Sequence, residues 1–107
     1  MSKIYNIWKS NRETKKFCVV ILGPNMREKR IYFGAAAYED YTTHKDIDRM
    51  RRYEARHKAK EHWNDPLTPG FWAKWILWNL PSFKESVDDT ENRFNIKIKV
   101  HRGIVGN

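Results

Sequence analysis

The sequence predicts an α+β fold: a small antiparallel sheet, made of N-terminal strands plus a C-terminal strand, packed with about three helices. Three observations predict it. β-prone residues dominate the first third of the chain and return near its end, helix-start signals fill the middle, and aromatic residues make up 14% of the chain. A chain of 107 residues suits a single domain over residues 1–107 with one modest, aromatic core.

The first third of the chain and one later segment predict strands. Residues 3–9 are rich in Ile, Tyr and Trp, residues 17–22 form an apolar run, and residues 30–33 resume β character. Turn-forming residues 23–25 separate the second strand from the third, so we expect an antiparallel meander. Residues 95–101 alternate polar with apolar side chains, which predicts a final strand with one wet, basic face.

Capping residues mark the starts of three helices. Asp46 and Thr68 can accept hydrogen bonds from free backbone N–H groups, and Pro69 suits a first helical position because it has no N–H. Ser82 and Glu85 have the spacing of a capping box. We expect the three helices to run from Asp46 to about His62, over residues 69–79 and over residues 83–94.

The chain carries a large positive charge. Its formal net charge is +8 and its pI is about 9.7. An excess of this size favours a polyanionic partner, such as nucleic acid, an anionic membrane surface or an acidic protein, and does not choose among them. No uninterrupted apolar stretch approaches the length of a transmembrane segment, so we expect none.

Residues 43–60, THKDIDRMRRYEARHKAK, concentrate this charge. On a helix, at 100° per residue, five of the cations fall within a stripe about 80° wide. Such a stripe could follow phosphates, and Lys97 and Lys99 could extend it. The alternative is an ordinary solvated helix face, supported by pairs such as Glu54 with Lys58. The candidate nucleic-acid-binding residues are Lys45, Arg49, Arg51, Arg52, Arg56 and Lys60, of which all but Arg51 form the stripe.

Catalytic and metal-binding patterns are absent from the sequence. His57 and His62 are five residues apart, which does not place both on one helical face, and Cys18 is the single cysteine. Asp46 and Asp48 sit where the helix dipole favours anions, so they have a local explanation. Neither a Gly-rich phosphate loop nor a nucleophile beside a base is present. We therefore expect a non-enzymatic protein with no catalytic residues, metal or cofactor.

The segment TPGFWAKWILWNLPSF holds three tryptophans within seven residues. Its helix would be apolar nearly all round, with Lys74 as its one charge, and such a helix is typically buried. We therefore expect this helix to lie in the core. A weaker alternative is that Trp72, Trp75 and Trp78 form a partner interface, because tryptophan is enriched at interaction hot spots.

Residues 33–94 carry a long motif string: FGA, YEDYTTHKD, RMRRYEARH and WNDPLTPGFWAKWILWNLPS. This string resembles a small uncharacterised family of large nucleocytoplasmic DNA viruses, of the phycodnavirus and mimivirus kind. The resemblance implies a viral protein in the host cytoplasm, the viral factory or the virion, and it implies no activity.

Two functions remain open from the sequence. The first is a basic viral module that binds nucleic acid, DNA more than RNA, through its cationic helix and is packaged in the virion. The second is a minor capsid or virion protein that makes protein–protein contacts with capsid proteins.

Overall fold

The protein consists of a mixed four-stranded sheet with helices packed against one face. The computed structural model describes residues 3–106. The α+β class is therefore confirmed. In chain order the elements are β1 (Ile4–Lys9), β2 (Lys15–Leu22), a 3-10 turn (Pro24–Met26), β3 (Glu28–Ala35), α1 (Tyr41–His44), α2 (Ile47–His57), α3 (Pro69–Trp72), a π-helical turn (Ala73–Leu77), α4 (Phe83–Phe94) and β4 (Lys97–Ile104).

The strand order across the sheet is β3-β2-β1-β4. The first three strands form the predicted antiparallel meander, whose tight connections allow only that direction. β4 pairs with β1 in parallel, so the expectation of a wholly antiparallel sheet is wrong at this pair. All the helices lie between β3 and β4 in the chain, and a connection of that length permits a parallel return.

The core lies between one face of the sheet and the helices. Alternate strand residues point into it and meet the fully buried Phe71 and Trp72 of α3. On the opposite face, a smaller cluster contains the buried free thiol of Cys18. The strand residues of the main core are Tyr5, Ile7, Val19, Ile21, Ile31, Phe33 and Ile98.

The predicted helix starts are confirmed. The Thr68 side chain accepts a hydrogen bond from the Phe71 N–H, and the Ser82 side chain accepts one from the Glu85 N–H. Asp46 accepts from the two N–H groups that follow Ile47. α4 also ends as predicted, at Phe94. Local capping chemistry is enough to explain these boundaries.

Two predicted helix ends are wrong. α2 ends at His57 rather than near His62, and the helix that starts at Pro69 widens into a π turn and ends at Leu77. There the Trp78 N–H donates to the Ala73 carbonyl at 3.1 Å, five residues back. This widening breaks the even spacing of side chains around the helix axis.

The tryptophan segment packs mainly as core. Trp72 is fully buried, while Trp75 and Trp78 are half-buried. The weaker idea that all three tryptophans form a partner interface is therefore wrong for Trp72, because no partner can reach a buried ring. The Trp75 indole also donates to the Trp63 carbonyl at 2.7 Å, which ties the segment to the preceding turn.

Replacing Gly34 with alanine should destabilise the fold. Gly34 has a φ of 81°, and a methyl group there would lie 2.8 Å from the Leu77 side chain. A left-handed backbone alone costs an alanine about 1–2 kcal/mol, so we expect a loss of at least that size in urea unfolding. Gly106→Ala is the matched control, because that methyl group would meet nothing within 4 Å. Equal stability of the two variants would contradict this account of Gly34.

Candidate functional site

Aromatic stacking fixes the position of α2. Tyr53 is buried and its ring stacks on Trp78, with 4.4 Å between ring centroids and 1° between planes. On its own helix Tyr53 also stacks on His57, at 4.3 Å. Burial, and then the charge of Glu61, raise the pKa of the Tyr53 hydroxyl above its usual value. Tyr53 is thus a neutral anchor near physiological pH.

A second anchor of α2 is an ion pair. Lys74 of the π turn places its Nζ 2.9 Å from Oε2 of Glu54, and the Lys74 side chain is only 7% exposed, whereas that of Glu54 is 37% exposed. The ammonium also lies over the rings of Trp63 and Trp75, at 5.4 and 4.8 Å. Glu54 therefore pairs across the core with Lys74 rather than with Lys58.

The pairing of Glu54 leaves the outer face of α2 without a neutralising acid beyond its first turn. Within residues 3–106, no carboxylate lies within ion-pair distance of five exposed cations. Arg49 lies 3.8 Å from Glu39, but both side chains are well exposed, so this contact contributes little. The five cations, which we call the α2 cations, are Arg51, Arg52 and Arg56 on α2 and Lys58 and Lys60 in the turn that follows it.

The predicted continuous stripe of five cations is wrong. Lys45 is the C-terminal cap of α1, with a φ of 57°, and its Nζ donates to the Pro81 carbonyl at 2.7 Å. Lys60 lies beyond the end of α2, in a turn. Arg49, Arg52 and Arg56 remain on α2. The stripe breaks because Asp46 starts a new helix, and because the chain turns after His57.

Lys97 and Lys99 do not continue the α2 cations. Both are exposed on β4, which is one edge strand of the sheet, whereas β3 is the other edge. The cleft described next, to which α2 contributes, is lined by β2 and β3.

A cleft of about 510 Å³ lies between α2 and the paired ends of β2 and β3. Its walls are largely apolar, and Arg56 belongs both to the cleft and to the α2 cations. The Tyr38 side chain is 73% exposed at this site. The other lining residues are Lys15, Lys16, Phe33, Gly34, Ala35, Glu39, Asp40, Tyr53, His57, Glu61, Pro69, Gly70, Ala73, Leu77 and Trp78.

Two acids of the cleft already have partners. Asp40 is 3% exposed, binds the Lys16 ammonium at 2.6 Å and caps α1. Glu61 binds Nδ1 of His57 at 2.8 Å and accepts from the Trp63 indole.

The cleft nevertheless keeps free cations and a free hydroxyl. Lys15 and Arg56 make no ion pair within residues 3–106, and the Tyr53 hydroxyl makes no hydrogen bond with that part of the chain. Lys15 and Arg56 are both exposed and therefore available to a ligand.

Sequence reasoning did not find the cleft. Lys15 lies in a segment without a recognisable motif, and the string YEDYTTHKD, which contains Tyr38 and Asp40, implies no activity. Only the paired ends of β2 and β3 bring these residues beside α2. Tyr53 lies on the core side of α2, and nothing in the nearby sequence indicates a cavity beside it.

Residues 5–57 match a family of unknown function (DUF5754). The family model covers just under half of the chain, from β1 to the last residue of α2. No curated protein and no solved structure matches the chain. The family's segment includes Lys15 and Arg56 and ends before the tryptophan-rich helix.

Two further properties of the described chain bear on function. No group of three or more His, Cys, Asp or Glu residues within residues 3–106 could hold a metal ion. In the same range, every helix is too short or too polar to cross a bilayer.

Replacing Glu54 and replacing Lys74 should lower the free energy of unfolding by different amounts. Glu54→Gln leaves a buried ammonium unpaired, and we expect a loss of about 3 kcal/mol. Lys74→Met leaves a carboxylate that water can reach, so we expect a loss of about 1 kcal/mol or less. Urea unfolding of both variants and of the double variant measures this. A larger loss for Lys74→Met would mean that the pair does not hold α2 as described.

Proposed function

We propose that this protein is a non-enzymatic module that binds nucleic acid through the α2 cations. The observation that carries the proposal is their freedom: within residues 3–106, none has a carboxylate within ion-pair distance, and Lys74 holds Glu54, the one acid between Arg49 and Lys60. Unpaired cations on α2 and on the turn after it can take phosphates as counter-ions without first breaking internal ion pairs. Arg49 adds to the same surface, since Glu39 holds it only loosely.

Binding of this kind contacts the backbone rather than the bases. Arginine guanidinium groups suit phosphate oxygens, and each phosphate neutralised releases condensed counter-ions. The α2 cations suit phosphate contacts and do not form a pattern that recognises base edges. The affinity should therefore depend little on the nucleotide sequence. DNA is the favoured partner, as in the prediction from the sequence, and Lys45, Lys97 and Lys99 would at most add contacts away from the centre.

The second candidate, a minor capsid or virion protein, has less support. Trp72 is buried, Trp78 is covered by Tyr53, and Trp75 is covered by Phe94 and Arg93. Little aromatic surface of the tryptophan helix is thus left for a protein partner. The viral setting and packaging in the virion rest on the resemblance of residues 33–94 and belong to the proposal.

The double variant Arg52→Gln/Arg56→Gln should weaken DNA binding and flatten its salt dependence. Each phosphate contact contributes about 0.9 to the slope of log affinity against log salt, so we expect the slope to fall by about two. Fluorescence anisotropy with a duplex hairpin, over a range of NaCl concentrations, measures it.

The matched control is Lys84→Gln/Arg93→Gln, which removes the same charge from α4, where both cations already pair with aspartates. We expect this control variant to have the same slope of log affinity against log salt as the wild-type protein. A wild-type affinity that does not change with salt, or equal effects of the two double variants, would refute the proposed function.

A further inference from the structure

The cleft and the α2 cations adjoin at Arg56, which belongs to both. A strand with a phosphate on Arg56 therefore passes beside the cleft. We propose that the cleft receives one unpaired nucleotide of that strand, so that the protein prefers single-stranded nucleic acid, or a strand end, over a closed duplex. This inference rests on the proposed function and adds the class of nucleic acid to it.

The shape and lining of the cleft suit a base. Its volume of about 510 Å³ lies in the usual range for pockets that hold small ligands. Phe33, Leu77 and Trp78 supply apolar and aromatic walls. Tyr38, 73% exposed, has a ring that is free to stack on a base. A planar base is apolar on its faces and polar at its edge, which is the complement of these walls.

Polar groups in the cleft can meet the edge of a base. Tyr53 lines the cleft, and its hydroxyl makes no hydrogen bond within residues 3–106. The His57–Glu61 pair lies beside it on the same wall. A hydroxyl that can both donate and accept does not select one base strongly, which fits a site of low sequence preference.

Two free cations line the cleft beside the proposed nucleotide. Lys15 comes from β2 and Arg56 from α2, so they approach the cleft from different walls. Asp40 is already paired with the Lys16 ammonium, which lowers the repulsion that a phosphate would meet, and Glu61 is hydrogen-bonded to His57. Glu39 is the remaining acid, and its side chain is 64% exposed and lies 3.8 Å from Arg49.

A base inside a duplex cannot enter such a cleft without leaving its stack. Single-stranded nucleic acid offers its bases without that cost. Wild-type protein should therefore bind a short oligothymidylate at least about tenfold more tightly than a hairpin duplex of equal phosphate number.

Filling the cleft tests the inference without removing a charge. Ala35 is exposed at the end of β3 and lines the cleft, whereas Ala37 is exposed nearby and does not line it. We expect Ala35→Phe to weaken binding of the oligothymidylate by about tenfold or more and to leave duplex binding within about twofold of wild type. Ala37→Phe should change neither affinity.

Thymidine monophosphate gives a second measurement. It should quench tryptophan fluorescence of the wild-type protein through Trp78 and lose this effect in Ala35→Phe, while inorganic phosphate should quench neither protein. Equal affinity of wild type for single strand and duplex, or equal effects of Ala35→Phe and Ala37→Phe, would overturn the inference. If the wild-type protein then still bound duplex with the expected salt slope, the proposed function would be supported. If it bound neither single strand nor duplex, both the inference and the proposed function would be refuted.

Discussion

The ion pair between Glu54 and Lys74 is the constraint on which the candidate site depends. It joins α2 to the π turn through a nearly buried ammonium that two tryptophan rings also contact. Glu54 is the one acid between Arg49 and Lys60, and in this pair it faces Lys74 rather than the neighbouring cations. The same contact therefore holds the helix in place and leaves its outer face positive.

The segment after α2 shapes the cleft by close packing. Glu61 binds His57 of α2 and lies against Gly70, where a methyl group would come within 2.7 Å of its Oε2. A residue without a side chain is therefore needed at the start of α3 for Glu61 to reach this position. Gly34 has the same role on the opposite side, beside Leu77. Gly34 thus lets the π turn approach the end of β3 closely, and Gly70 lets Glu61 lie against the start of α3.

Local rules predicted the parts of the fold that depend on near neighbours. The meander and the caps at Asp46, Thr68 and Ser82 follow from turn residues and from backbone donors within a few positions. The direction of β4, the π turn and the partner of Glu54 depend on packing between distant residues. Glu54 had a plausible partner four residues away, and its real partner lies twenty residues away in the chain. The cleft could not be predicted for the same reason.

Reductive methylation of lysines, read by mass spectrometry with and without oligothymidylate, tests the central claim most directly. Lys74 should resist methylation in both samples because it is buried on Glu54. Lys58 and Lys60, both exposed, should react in the free protein and be protected in the complex. Lys84, whose side chain is 86% exposed, should react in both. Methylation of Lys74 as fast as that of Lys84, or unchanged reactivity of Lys58 and Lys60 in the complex, would contradict the account.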